Sequence, residues 1–114
     1  MNDRKLRADS ADAAVEAART AAAGFPDIPK HLTLPDAAKP FYEALMRSRA
    51  STEWSEADMI AAVDLAKLQA DIQRMQGELD EEGPVLNGRV NPRFRVVDAM
   101  IARSLRLTVL LKRH

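Results

Sequence analysis

Two kinds of side chain in this sequence have chemistry to offer. Carboxylates crowd the run Glu78-Leu79-Asp80-Glu81-Glu82, and arginines recur as Arg89, Arg93, Arg95, Arg103, Arg106 and Arg113. Neighbouring carboxylates can hold a divalent cation or pass a proton, but on an exposed helix end they are ordinarily solvated charges. Nothing nearby supplies the rest of a catalytic set. There is no cysteine, and the two histidines are His31, in a proline-rich stretch, and His114, the final residue. A GxxxxGK[ST] phosphate loop and a GxSxG elbow are both absent from the sequence. These observations argue against an enzyme, and no metal or other cofactor is expected. Guanidinium groups need no such machinery, because each can bind a phosphate or a carboxylate alone.

The formal charge is zero, with 17 basic and 17 acidic residues, but the signs are segregated. Residues 51–83 hold nine acids against Lys67 and Arg74, whereas residues 84–114 hold seven bases against Asp98 alone. Such asymmetry predicts internal pairing, a face for a polyanion, or both. Two basic clusters are candidates for phosphate contact. The first comprises Arg4, Lys5 and Arg7 in the N-terminal segment, with Lys30, Lys39, Arg47 and Arg49 following. Fewer acids neighbour it, and a flexible basic arm adds salt-sensitive, sequence-tolerant affinity for duplex DNA. The second is the C-terminal arginine series, which has acids enough on the preceding helix to be neutralised within the protein.

Helices must position these groups. Residues 1–24 are alanine-rich, and Ser10 can cap a helix that runs to about Ala23 and stops at Gly24. That helix has almost no apolar stripe, so it is expected to fray until something holds it. The stretch FPDIPKHLTLP has three prolines in eleven residues and reads as an extended linker. Residues 1–35 are thus a flexible arm that can reach DNA, and 36–114 a helical domain for oligomerisation and DNA binding. A short helix over 36–49 directs Phe41, Tyr42 and Leu45 inward, with Pro40 in its first turn.

A second, longer helix begins at Ser55, where Ser55 and Asp58 make a shortened capping box and Trp54 staples against Met59 or Ile60. Ala61, Leu65, Leu68, Ile72, Met75 and Leu79 follow at spacings of 4, 3, 4, 3 and 4, a seam of the coiled-coil or bundle type ending near Glu82. Asp64, Asp71 and Glu78 repeat beside it, interleaved with Lys67 and Arg74. That row is either a self-paired ladder or a flank that selects a basic partner helix. Asn87-Gly88 then predicts a type I′ β-hairpin between Val85 and Val90. Alone such a hairpin is unstable, so it must pack on something.

Asn91 and Pro92 open the last helix as N-cap and first residue. On its wheel Arg95, Arg106 and Arg113 fall within about 20° of one another, and Arg103 lies about 80° round. Phe94, Val96, Val97, Met100, Ile101, Leu105, Leu107 and Leu111 fill the other half, an arc too wide for one partner helix. Only five residues are aromatic, which makes a marginal core for a small domain. Both facts predict that copies of the chain complete each other's core. The residues expected at that interface are Leu65, Leu68, Ile72, Met75 and Leu79 on the seam, and Arg93, Phe94, Val97, Ile101 and Leu105 on the last helix. The architecture expected is mainly α, a helical hairpin with a β-hairpin at its corner. No apolar run approaches the roughly 20 residues that span a bilayer, so no membrane partner is expected and the protein reads as soluble and intracellular.

Several stretches also resemble a known family. They are AAKPFYEAL, then STEWSEADMIAAVDLA, then EEG followed by a hairpin and by NP opening the last helix, with RADSADAAV near the start. In this order they are similar to the small terminase subunit of tailed bacteriophages, in particular the cohesive-end packaging group, and the resemblance covers nearly the whole chain. Relatives often end the last helix with LGLTPxSR-like residues. Here the text is LRLTVLLKRH, with Arg106 in place of the glycine, and the helix is expected to run on. The resemblance implies a non-enzymatic protein of the host cell cytoplasm that assembles into a ring, nine copies being the expected number. It implies binding to double-stranded viral DNA near the packaging start, and recruitment and regulation of the large terminase subunit, which carries the ATPase and nuclease. Two readings compete with it: a helical protein-binding adaptor without DNA binding, and a small hydrolase or nuclease using the acids of 78–82.

Overall fold

The computed structural model describes residues 24–112. The helix expected between Ser10 and Ala23 lies outside them, as do Arg4, Lys5, Arg7, Arg113 and His114. Within them the protein is mainly helical. In chain order the elements are α1 (Lys39–Met46), α2 (Glu56–Glu82), β1 (Val85–Leu86), β2 (Arg89–Val90) and α3 (Pro92–Lys112). Single 3-10 turns, Asp36–Ala38 and Ser51–Glu53, precede α1 and α2. None of the described helices is long and apolar enough to cross a membrane.

Helix α1 buries Tyr42 and Met46 and half-buries Phe41 and Leu45. It is shorter than the expected 36–49. Residues 36–38 tighten into a 3-10 turn, and at the far end the Ser48 hydroxyl donates to the Leu45 carbonyl, a side-chain bond that competes with further helix. The proline-rich stretch before α1 is more than a linker, because Phe25, Ile28, Leu32 and Leu34 pack against the core.

Helix α2 starts where its cap dictates: the Ser55 Oγ accepts the Asp58 N–H at 3.1 Å. Trp54, just before the cap, and Met59, one turn on, are buried in the same cluster, the arrangement of a hydrophobic staple. The helix ends at Gly83, whose φ of 84° lies in the region open to glycine, and whose N–H bonds the Leu79 carbonyl at 2.7 Å.

The corner that follows is the hairpin read from Asn87-Gly88. Both residues have positive φ, 52° and 77°, as a type I′ turn requires. The strands are only two residues each, in antiparallel register with Val85 opposite Val90 and Leu86 opposite Arg89. Support comes from Asn91, which is 1% exposed. Its Oδ1 accepts the Arg93 N–H at 3.1 Å and so caps α3, while its Nδ2 donates to the Gly83 carbonyl at 3.0 Å. Its own N–H bonds the Pro84 carbonyl at 2.8 Å. One buried side chain thus ties the end of α2 to the start of α3.

The core sits at the other end of this helical hairpin, where α1, the first half of α2 and the last turn of α3 meet around Met46, Val63, Leu65 and Leu111. Here part of the expected interface is corrected. Leu65, Ile72 and Val97, expected at the interface, are buried within one chain and pack in its core, with 0%, 7% and 5% of their surface exposed. The reason is that α2 has two partners rather than one: α1 and the proline-rich stretch take the side next to the seam that α3 leaves free. Leu68, Met75, Leu79 and Ile101 are half-buried along the α2–α3 contact.

Replacing Asn91 by alanine removes a cap and orphans the Gly83 carbonyl, and is expected to lower stability by about 1–3 kcal/mol. Asn91→Ser keeps a capping acceptor, adds no charge and loses only the bond to the Gly83 carbonyl, so its loss should be smaller. Urea midpoints of the three proteins, compared at equal slope, check the order.

Candidate subunit and DNA-contact surfaces

Arg49, expected at DNA, is placed in the scaffold. It leaves the turn after α1 and reaches across to both long helices. Its Nη1 meets the Asp58 Oδ2 at 2.8 Å and the Glu53 carbonyl at 3.5 Å, and its Nη2 donates to the Leu111 carbonyl. The guanidinium stacks 4.3 Å above the centre of the Trp54 ring. With its side chain 9% exposed, little of it remains for an outside ligand. The chemistry explains the position: the last carbonyls of α3 have no helical partner and carry the negative end of the helix dipole, so a cation there satisfies both needs.

The other two described members of that cluster differ. Lys39 meets Asp36 at 2.9 Å and Arg47 meets Glu43 at 3.4 Å, with side chains 44% and 59% exposed. Exposed pairs of this kind contribute under about 1 kcal/mol, so a phosphate could displace the carboxylates at little cost.

At the opposite end, Arg93 pairs with Glu78 at 2.8 Å and donates from Nε to Glu82. The hydrogen bond to Glu82, then the charges of Glu82 and Glu78, push its guanidinium further above an already high value. Arg93 thereby claims the very carboxylates that a metal or proton-transfer site would need. Among the described residues no group of three or more histidines or carboxylates is placed to hold a metal ion. Tyr42 is no better suited to catalysis, since burial, with the charge of Asp27 adding to it, raises its phenol above the ordinary 10.0.

Beyond Arg93 the acids of α2 do not reach the arginines of α3. Arg89, Arg95, Arg103 and Arg106 are exposed and, among the described residues, have no ion pair. Among the described members of this series, Arg93 is the one that α2 neutralises. Among the described residues, the large apolar side chains left in solvent lie in the same region: Val85 and Val90 on the hairpin, and Phe94, Val96, Leu105, Val109 and Leu110 on α3. Leu105 is 61% exposed and Val90 63%. Of the expected interface residues, Phe94 and Leu105 are therefore the ones that stand fully available.

The model of the Hendrixvirinae small terminase family matches residues 1–114. The chain belongs to that family. Over 82 residues it is also 40% identical to a protein of Enterobacteria phage HK97 described as "Terminase, small subunit", a stretch covering 72% of this chain and 51% of that protein. The chain thus spans about half the length of this curated relative. The family read from AAKPFYEAL, WSEAD and the NP start of the last helix is the family found. The features that local sequence cannot reveal are the Arg49 clasp and, among the described arginines from Arg89 to Arg106, the pairing of Arg93 alone. Arg49 and Leu111 lie 62 residues apart, and no spacing rule connects them.

Arg49→Ala should destabilise the protein by about 2–3 kcal/mol, between the values for surface and buried pairs, because Asp58 and the Leu111 carbonyl lose a shared partner. Arg49→Lys keeps the charge but not the fork or the stacking plane, and should recover less than half of that. Denaturation followed by the fluorescence of Trp54, the single tryptophan, measures both.

Proposed function

We propose that this small terminase is a non-catalytic DNA-packaging protein of the host cell cytoplasm. It assembles into a homo-oligomeric ring, nine copies being the expected number. The ring binds double-stranded viral DNA near the packaging start, and it recruits and regulates the large terminase subunit that supplies the ATPase and nuclease. Family membership along residues 1–114 carries this reading.

The surfaces support it in two ways. Seven large apolar side chains lie exposed on the hairpin and α3, a concentration that a lone domain of this size does not need and a partner would cover. The Lys39 and Arg47 side chains are 44% and 59% exposed, at the first residue of α1 and just past its end. Together with Arg4, Lys5 and Arg7 of the arm they form the proposed DNA contact. Arg49 drops out of that set because its guanidinium is already engaged.

Native mass measurement and duplex-DNA titration on one preparation test the proposal. A multi-copy assembly at micromolar concentration is expected. Its DNA affinity should fall with salt at a logarithmic slope of about one per phosphate neutralised. Reversing Lys39 and Arg47 together to glutamate should weaken binding at least tenfold and leave the mass unchanged. No duplex binding even at low salt would favour the helical adaptor instead. Intact binding in the double variant would move the contact elsewhere.

A further inference from the structure

On α3, Arg95 and Arg106 lie within about 20° on the wheel and Arg103 about 60–80° further round, on roughly the opposite side from Val97, Ser104 and Leu111, which pack inward. The arginine face therefore points away from the α2 of its own chain. It is bracketed by exposed apolar side chains, Phe94, Leu105 and Val109 along one edge and Val96 and Leu110 along the other. Meanwhile α2 keeps carboxylates it cannot use. Asp64 is exposed and, among the described residues, has no ion pair, and Asp71 has only Arg74 of its own helix at 3.5 Å.

We propose that the arginine face of α3 docks on the acidic flank of α2 in a second copy of this chain. This rests on the assembly reading above and specifies which two faces meet. Three observations support a protein occupant over a phosphate backbone. First, arginines bracketed by exposed apolar side chains have the composition of an interface core, where apolar area and arginine are enriched together and water is excluded from the charges. A phosphate contact gains nothing from those flanking leucines and valines. Second, the complementary charge exists in equal reach on the same chain: Arg95 and Arg103 are about 12 Å apart along their axis, and Asp64 and Asp71 about 10 Å apart along theirs. Third, the chain has no net charge, so each copy that donates a basic face offers a matching acidic one.

The geometry has a consequence. The two faces are different patches of one chain, so the contact is head-to-tail rather than two-fold symmetric. Repeated, such a contact either closes into a ring or runs on as a filament.

Charge exchange tests the pairing in the full-length protein. One variant carries Arg95→Glu, Arg103→Glu and Arg106→Glu; the other carries Asp64→Lys and Asp71→Lys. All five side chains lie on solvent-facing or flanking positions, and circular dichroism should show unchanged helix content. Each variant alone should need at least tenfold more protein to reach half-assembly by native mass measurement. An equimolar mixture should recover assembly with the two variants alternating, because glutamate on one copy meets lysine on the next. A ring of nine would keep one mismatched junction, so even-membered or open assemblies should gain at its expense. The milder Arg103→Ala should shift assembly in the same direction as the triple change. Full assembly of either variant alone would overturn the pairing and leave the assembly reading intact. An arginine variant that assembles normally but loses duplex DNA would overturn it in favour of a phosphate face. A monomeric unmodified protein would overturn both.

Discussion

The outer surface of this protein depends on how α3 is gripped at its two ends. At its first turn Asn91 caps the helix and Arg93 reaches Glu78 and Glu82 on α2. At its last turn Arg49 takes the Leu111 carbonyl and links it to Asp58 at the start of α2. Polar clasps at both ends fix the rotation of α3 about its own axis, something the short apolar contact between would do poorly alone. Once that rotation is set, Val97, Ser104 and Leu111 must face inward, and the arginine row with its apolar borders must face out.

The core reinforces this division of labour. It is concentrated at the α1 end, where Trp54, Met46, Val63 and Leu65 surround the last turn of α3. Toward the β-hairpin the buried apolar side chains, among the described residues, are Ile72 and Val97, and Val85 and Val90 stand in solvent. A hairpin with a dense core at one end and exposed apolar area at the other is an incomplete domain in energetic terms. Burying the seven exposed large side chains offers about 25 cal/mol for each Å² removed from water, a gain available only from another surface. That is the physical link between this fold and assembly.

Much of the fold was legible because the signals that set it are local. Ser55 and Asn91 mark the starts of α2 and α3 to the residue, and Asn87-Gly88 places the corner, since caps and type I′ turns are decided within a few residues. The far side of the heptad seam was harder. Spacing shows that Leu65 and Ile72 are apolar on one stripe but not whether a helix of the same chain or of another covers it. The proline-rich stretch and α1 share that helix with α3, and so Leu65, Ile72 and Val97 are buried within a single chain. The candidate surfaces divided in the same way. Phe94 and Leu105 were placed by periodicity, whereas the capture of Arg49 by Asp58, Trp54 and Leu111 is a long-range contact with no trace in neighbouring residues.

If copies of the chain meet through the apolar borders of α3, those borders must lose solvent when the copies assemble. Hydroxyl-radical footprinting across a protein concentration series tests it most directly, with His31, exposed on the proline-rich stretch, as internal reference. Phe94, Leu105, Val109 and Leu110 should lose reactivity as the assembly forms while His31 stays constant. Unchanged reactivity at those four residues in a protein whose mass shows full assembly would contradict it.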